Sequence, residues 1–369
     1  ASWASLSYPR DKKLFKRLWP SDLQIEGPDQ IRGWWNSELI TSIITFGRSP
    51  FKNILFHGFL LDAHGVKMSK SKGNFVAPED VVKKYGRDAL RLYFLSSAAW
   101  DDFYFSWQEA DRMAKVLSVI ENSFNFVKMY SGKVSGRPKL NVEDKWILSR
   151  LNTVVQNATQ NISSYNLHKA VSEVTDFIAD DFSRWYIKVV RDRVWPEYNG
   201  KDKQAAFYTL NKVAETCAKL LAPVCPFLAE HAHKQIAKKP ISVHMHSWPN
   251  ADRKVIDKKL EGAMNAVKNI VEAASAIRQV HKIKLRWPLS RIVISSNQGL
   301  RELEDVIKFM CNVKKLEYGE AELPARDVGK LKVYLDTKIT DELRREALLR
   351  EVVRKVQEPV RLLAEVVAR

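Results

Sequence analysis

Between residues 67 and 74 the chain reads Lys67-Met68-Ser69-Lys70-Ser71-Lys72-Gly73-Asn74, a short stretch dense in ammonium and hydroxyl groups. Two ammonium groups a few residues apart, Lys67 and Lys70, can neutralise a triphosphate. The hydroxyls of Ser69 and Ser71 can donate further hydrogen bonds, and Gly73 permits an unusual backbone turn. The same letters also suit a solvated basic loop, and side-chain chemistry alone leaves both readings open. A second stretch, Ile25-Glu26-Gly27-Pro28-Asp29-Gln30-Ile31-Arg32-Gly33-Trp34-Trp35, sits at an expected strand end, where open α/β sheets place their ligands. Its carboxylates and amide could hold ribose hydroxyls or an ammonium, or Glu26 and Asp29 could cap the helix that follows.

Other residue groups point elsewhere. Arg184, Lys188, Arg191 and Arg193 could meet phosphates or form a solvated helix face, while Trp185 and Tyr186 offer ring faces for bases. Trp185 falls on the apolar spacing of its helix, which favours core packing. His231 and His233, and His244 and His246, lie two apart with no third clustered ligand, so no metal site is expected. Cys217, Cys225 and Cys311 form no CxxC pair, which argues against a disulfide framework and a zinc knuckle.

The elements that must position these groups divide the chain. Asp22 to Glu26 reads as a strand, Gln30 to Phe46 as a helix with Ile31, Trp34, Trp35, Leu39 and Ile43 on one face, and Asn53 to Leu61 as a strand. Pro78-Glu79-Asp80 reads as a helix start, and Leu90 to Leu95 as a buried helix. From Glu143 to about Ile236 amphipathic helical periods replace strand signals. Ile178, Phe182, Trp185 and Val189 form an inward stripe there. Lys238-Lys239-Pro240 and Trp248-Pro249-Asn250 interrupt the pattern, placing a boundary near residue 250. Beyond it come a helix over Asp257 to Val280, strands around Arg291 to Ile294 and Leu331 to Leu335, and a helix over Asp341 to Val356. The expected organisation is an α/β half-sheet with the lysine loop over 1–77, a helical connector over 78–142, a helical bundle over 143–250 and a mixed α/β region over 251–369.

The 369 residues carry 60 Lys and Arg against 43 Asp and Glu, a net charge of +17 that argues for a polyanionic partner such as nucleic acid. No apolar run is long enough to span a membrane and no secretory leader opens the chain, so the expected compartment is the cytoplasm.

Lys67 to Ser71 spells the KMSKS signature, and the chain resembles class I aminoacyl-tRNA synthetases. The Glu26-Gly27-Pro28-Asp29-Gln30-Ile31-Arg32-Gly33-Trp34 stretch is similar to the corresponding segment of the isoleucine type. Pro28 and Trp35 depart from the usual residues there. Asp62-Ala63-His64-Gly65, Tyr85 to Arg91, Phe105-Ser106-Trp107, Asp144 to Leu151, Ser183 to Ile187 and Leu221-Ala222-Pro223 continue the likeness, which covers roughly residues 1–355. Pro359 to Arg369 does not follow it.

The resemblance implies the second half of a Rossmann-like nucleotide-binding fold followed by an all-α anticodon-binding bundle. It implies activation of isoleucine by ATP with Mg2+ and transfer to tRNA(Ile). Lys67 and Lys70 would be catalytic, Lys70 chiefly. Glu26, Gly27, Asp29, Gln30, His57, Gly58, Met68, Ser69 and Ser71 would bind ATP or the adenylate, and Arg184, Lys188, Arg191 and Arg193 the tRNA. The Asp88 and Arg91 side chains would pair or cap as scaffold. The family's HIGH signature and editing insertion do not occur here, so a preceding portion or a separate polypeptide is expected to supply the first, and the isolated chain to be a poor enzyme. A tRNA-binding module without ligase activity and a valine-tRNA ligase are the alternatives.

Overall fold

The computed structural model describes residues 2–237, 241–296 and 299–367. It forms two compact units whose segments alternate along the chain. The first gathers residues 1–129, 153–183 and 214–251, the second 130–152, 184–213 and 252–369.

The first unit opens with two short helices, α1 (Ser2–Ser5) and α2 (Lys12–Leu18), before strand β1 (Gln24–Glu26). A 3-10 turn over Pro28–Ile31 leads into helix α3 (Trp34–Phe46), which ends where Gly47 takes the left-handed conformation at φ 69°. The helix expected from Gln30 is thus broken at Arg32-Gly33. Strand β2 (Ile54–Phe56) runs parallel to β1, pairing Gln24 with Ile54 and Glu26 with Phe56. β3 (Leu60–Leu61) runs parallel to β4 (Phe103–Tyr104).

The single strand expected over Asn53 to Leu61 is therefore two, and Gly58 supplies the reason. A Cβ there would lie 2.1 Å from the Asp101 carbonyl oxygen, so the chain crosses another backbone too closely for any side chain. Along α3 and its strands several apolar residues face solvent: Ile25, Ile31, Trp34, Leu39, Ile40, Ile43, Ile44 and Ile54 are exposed, and Trp35 is buried. Parallel strands are ordinarily covered on both faces.

Helices α4 (Pro78–Tyr85), α5 (Arg87–Leu95) and α6 (Trp107–Tyr130) follow, the last lying in the stretch over 78–142 expected to be helical without its bounds being read. Val81, Leu92, Tyr93, Phe105, Ala110 and Met113 form a core with Val171 and Cys225. Asp88 and Arg91 do not pair with each other. The Asp88 carboxylate accepts from Leu228 N at 2.7 Å, while Arg91 donates to the Val224 and Pro223 carbonyls at 2.9 and 2.8 Å. Both clamp the turn ahead of a later helix, which is capping work.

Helices α7 (Val142–Ser163) and α8 (Leu167–Asp176) lead to a π-helical stretch over Phe177–Tyr186 and then α9 (Ile187–Val190) and a 3-10 turn over Arg191–Val194. The inward stripe survives the wider winding. Ile178 and Phe182 are fully buried, Trp185 is 8% exposed, and Arg184 and Lys188 face solvent. α10 (Lys203–Leu221) and α11 (Pro226–Ala237) complete the bundle. The interruption at Lys238-Lys239-Pro240 lies outside the described residues.

In the second unit α12 (Lys258–Val280) is capped by Asp257, whose carboxylate accepts from Leu260 N at 2.9 Å. Met264, Val267, Ile270, Ala274 and Ile277 are buried along one side, the three-and-four spacing of a core-facing helix. Behind it lies a mixed sheet in the order β6-β5-β8-β7, built from β5 (Leu289–Ile294), β6 (Val313–Tyr318), β7 (Ala325–Val328) and β8 (Leu331–Leu335). β5 runs parallel to β6 and antiparallel to β8, the crossover to β6 being helix α13 (Glu304–Cys311). Helix α14 runs from Asp341 to Val367. Of the segment from Pro359 onward, residues 368 and 369 lie outside the described ones.

Candidate functional site

The carboxyl ends of β1 and β2 bring Glu26, Gly27, His57 and Gly58 together. His57 N donates to the Glu26 carbonyl at 3.1 Å, and its ring Nδ1 lies 2.9 Å from the Gly58 carbonyl. A Cβ on Gly27 would fall 2.6 Å from Asp29 Oδ1 and 3.5 Å from His57 Cε1, so close neighbours cover this buried backbone and leave no room for a side chain. Gln30 Nε2 donates to Asp29 Oδ2 at 2.7 Å, and Gln30 Oε1 accepts from Trp34 N at 3.1 Å. The first N–H of α3 is thus met by Gln30, and not by Glu26 or Asp29 as the capping alternative expected. Glu26 makes no such cap, and its carboxylate is exposed at the strand end. Buried in the same layer is Glu38 on α3, which accepts from Gln24 Nε2 at 3.0 Å.

Two residues past Gly58, β3 starts a hairpin that carries the lysine loop. Its turn is built on Asp62, whose Oδ1 accepts from His64 N and Val66 N at 2.9 Å each, an Asx arrangement closed by Gly65 at φ 78°. The return limb pairs Met68 N with the Leu60 carbonyl at 3.1 Å. A 3-10 turn over Lys70–Lys72 then ends at Gly73, whose φ of 70° few side chains tolerate.

Asn74 ties the loop to its hairpin. Its Oδ1 accepts from Ser69 N at 3.0 Å, and its Nδ2 donates to Asp62 Oδ2 at 2.9 Å. The Asn74 amide, then the Val66 N–H, hold the Asp62 carboxyl below the usual carboxylate range. The Ser69 and Ser71 hydroxyls lie 3.2 Å apart, and the Lys67 and Lys70 ammoniums rest over the Phe59 and Phe75 rings at 4.0 and 5.6 Å. Both lysines are exposed. Two cations and two hydroxyls therefore stand on a loop whose base is pinned and whose crest is open. Asp62 and Asn74 escaped the reading of the sequence as positioning groups, although the Asp-x-x-Gly turn was a signal for the first.

The basic helix face divides. Arg184, Lys188 and Arg191 are exposed. Arg193, expected among the phosphate contacts, is instead buried at 8% exposure. Its guanidinium donates to Glu143 Oε1 at 2.6 Å and Asp144 Oδ2 at 2.9 Å, and it pairs with Asp202 at 2.9 Å. Tyr186 is also buried and donates to Asp144 Oδ1 at 2.7 Å, which removes its ring from any base. The cause is geometric: three carboxylates and a phenol share one interior, and only a guanidinium has donors enough to satisfy them. Glu143 is pushed up by burial even so. Trp185 is packed in the core, and Lys268 lies over it and Trp146 at 5.6 and 5.7 Å.

Among the described residues no three His, Cys, Asp or Glu converge as a metal site, and no helix is long and apolar enough to cross a membrane.

Comparison with known proteins places this geometry. A family model described as "tRNA synthetases class I (I, L, M and V)" matches residues 1–106, and one described as "Anticodon-binding domain of tRNA ligase" matches residues 144–294. The isoleucine–tRNA ligase of Methanothrix thermoacetophila is 44% identical over 332 residues, 86% of this chain and 32% of the relative. Those of Archaeoglobus fulgidus and Pyrococcus abyssi are 42% and 40% identical over 86% and 87% of the chain. The chain spans about a third of the length of these relatives. Among solved structures, a LeuRS–tRNA–LeuAMS ternary complex from Agrobacterium radiobacter K84 aligns over 69% of this chain and 33% of its own with a TM-score of 0.55 and 19% identity. Mycobacterium tuberculosis methionyl-tRNA synthetase with methionyl-adenylate aligns over 66% of this chain and 54% of its own, at 0.53 and 21%. These two share the fold: a Rossmann-like α/β part followed by a helical bundle.

Proposed function

The chain belongs to the isoleucine–tRNA ligase family of class I aminoacyl-tRNA synthetases, and from that premise we propose that it carries one half of a site that activates isoleucine with ATP and charges tRNA(Ile). In activation the isoleucine carboxylate attacks the α-phosphorus of ATP, an acyl–phosphate bond forms, and pyrophosphate leaves with the electrons of the broken bond. Negative charge grows on the non-bridging and departing oxygens, and a mobile ammonium is suited to meet it. Lys70, with Lys67 beside it, takes that role. The Ser69 and Ser71 hydroxyls and the Met68 backbone complete the cradle. Magnesium arrives as the counter-ion of the triphosphate, part of the substrate.

Glu26 and the strand ends at Gly27 and Gly58 hold the nucleoside and the α-ammonium end of the adenylate. Asp29 and Gln30 fix the turn beneath them, and His57 aligns the two strand ends. In this reading residues 1–77 are the catalytic half, 78–142 a connector, 143–250 the tRNA-binding bundle and 251–369 a further tRNA-contact region. Arg184, Lys188 and Arg191 serve as phosphate contacts on the bundle, with Arg193 holding their helix in place.

The observation that carries this reading is the pinned loop with two exposed ammoniums beside the carboxyl ends of parallel strands. The first phosphate-binding signature is contributed by a further portion of the protein or by a separate polypeptide, and the uncovered apolar side of α3 and its strands is suited to receive that half. Isoleucine-dependent pyrophosphate exchange by the complete protein tests the proposal. Lys70→Ala should lower the rate about 10²–10³-fold, and an unchanged rate would sink the assignment. Exchange with valine at equal efficiency would move the reading to a valine ligase, and tRNA binding with no exchange at all to a binding module.

A further inference from the structure

Past α11 the chain turns back, and residues 241–250 lie along that helix as a strap. Its 3-10 turn, Val243–Met245, is capped by Ser242, and Val243 is buried. Glu230 on α11 holds the strap at one end: its carboxylate accepts from Ser242 Oγ at 2.8 Å and Val243 N at 2.9 Å. Trp248 holds the other, its Nε1 donating to Thr159 Oγ1 on α7 at 2.8 Å. There the indole forms one wall of an apolar cavity of about 460 Å³ with Leu95, Ile162, Leu220 and Val224.

Between these anchors two histidines meet. His233 of α11 and His246 of the strap stand with ring centroids 4.9 Å apart and planes at 66°, edge toward face. His233 is 1% exposed. Neither of its ring nitrogens, nor the buried Nε2 of His246, finds a hydrogen-bond partner among the described residues. Buried polar atoms are ordinarily satisfied, and an imidazole left so costs least when it is neutral. The groups that face His233 are His246 from the strap, Glu215 from α10 and Glu230 from its own helix. Both carboxylates are engaged elsewhere, Glu215 with Lys219 at 3.1 Å and Glu230 with Lys234 at 3.0 Å. Asp88 and Arg91 of α5 meet the start of α11 and the turn before it.

We propose that His233 and His246 form a latch, which keeps the strap closed while His233 is neutral and releases residues 241–250 when His233 takes a proton. A buried imidazolium must regain water, and moving His246 and its segment aside is what admits it. Release withdraws Trp248 from Thr159 and opens the apolar cavity beneath it. Burial first, and His246 next, hold the His233 pKa below its ordinary value, outweighing the Ile241 backbone and the two carboxylates. The closed strap is thus fully stable above the ordinary histidine value of about 6.5. That stability is lost as pH falls from there toward the lowered value. Glu230 works in a separate window. Lys234 and then Ser242 hold it down to about 2, so its grip on the strap weakens only below the ordinary carboxylate range.

Hydrogen exchange of the complete protein, followed peptide by peptide between about pH 7 and about pH 5, tests the latch. Protection over 241–250, corrected for the intrinsic pH dependence of amide exchange, should fall by up to about tenfold per pH unit below about 6.5, the slope of one proton. Helix α6 should keep its protection over that window. His233→Phe fills the same space without a titrating nitrogen and should leave the strap equally protected at both ends of the window. His246→Phe, at the half-buried position, removes the opposing imidazole and should shrink the loss. His231→Gln, at an exposed histidine of the same helix, should behave as the parent does.

The proposal is overturned if the parent strap keeps its protection across the window, if His233→Phe or His246→Phe loses it as the parent does, or if α6 loses its own in step. The titration of the His233 ring by NMR in the parent needs no variant. A midpoint below the ordinary value supports the latch, and one at or above it overturns the proposal.

Discussion

At the scale of single residues, the lysine loop owes its shape to Asp62 and Asn74, which carry no formal role in the reaction. Asn74→Ala removes the acceptor for Ser69 N and the donor to Asp62, so the loop should be cut sooner by limited proteolysis. Under the proposed mechanism exchange should fall about tenfold, the scale of one hydrogen bond to a charged group, and mostly in kcat, since the bonds would set where Lys70 stands when charge develops. Because the Asp62 pKa is depressed in the folded protein, its contribution is present above the ordinary carboxylate range and is lost as pH falls through the lowered value. Protease sensitivity of the loop should rise on acidification there, whereas Asp62→Asn should show little pH dependence; parallel curves for the two proteins would refute the clasp. The lysines and serines were legible in the sequence because their chemistry is written in their side chains. Asp62 and Asn74 were not, because a short polar residue declares its partner only when the chain has folded back.

At the scale of elements, local signals and tertiary demands separate cleanly. Pro78 with Glu79 and Asp80, Gly47 after α3 and Asp257 before α12 mark helix ends that the sequence announces. The stripe through Ile178, Phe182 and Trp185 was read as a buried face, and it is one, although the backbone is wound as a π-helix that spacing alone does not distinguish over so short a run. Arg193 went the other way. Its neighbours Arg184, Lys188 and Arg191 suggested one basic face, but the 3-10 turn after Val190 rotates it inward onto Glu143, Asp144 and Asp202. Arg193→Met should therefore cost about 3–5 kcal/mol by leaving buried carboxylates unpaired, seen as a lower denaturation midpoint with little change in RNA affinity. Gly58→Ala belongs to this scale too. Its methyl would meet the Asp101–Asp102 backbone, and overpacking of about 1–3 kcal/mol should appear as early thermal unfolding. The α13–β6 pair was missed for want of a period: Val313 to Tyr318 holds two lysines and a glutamate and reads as loop until its parallel partner β5 is in place.

For the molecule as a whole, the exposed apolar residues on α3 and its strands matter more than any one contact. Ile44 is 78% exposed, Ile25 51% and Ile40 49%, a patch of the kind that marks an interaction surface. The isolated chain should self-associate in sedimentation velocity, and Ile44→Glu should shift it toward monomer; a monomeric parent at high concentration would count against the patch. The net charge of +17 works against that association at low salt and should make it stronger as salt is added.

The clamp of Asp88 and Arg91 on the turn at Pro223 to Leu228 reaches across 132 to 140 positions of sequence. During translation, at about 5–20 residues per second, the connector thus waits roughly 7 to 30 s for the turn that secures it. Over that interval the turn that Asp88 and Arg91 hold has yet to be synthesised. A synonymous change that slowed decoding between those positions would lower the yield of active protein without altering a single side chain.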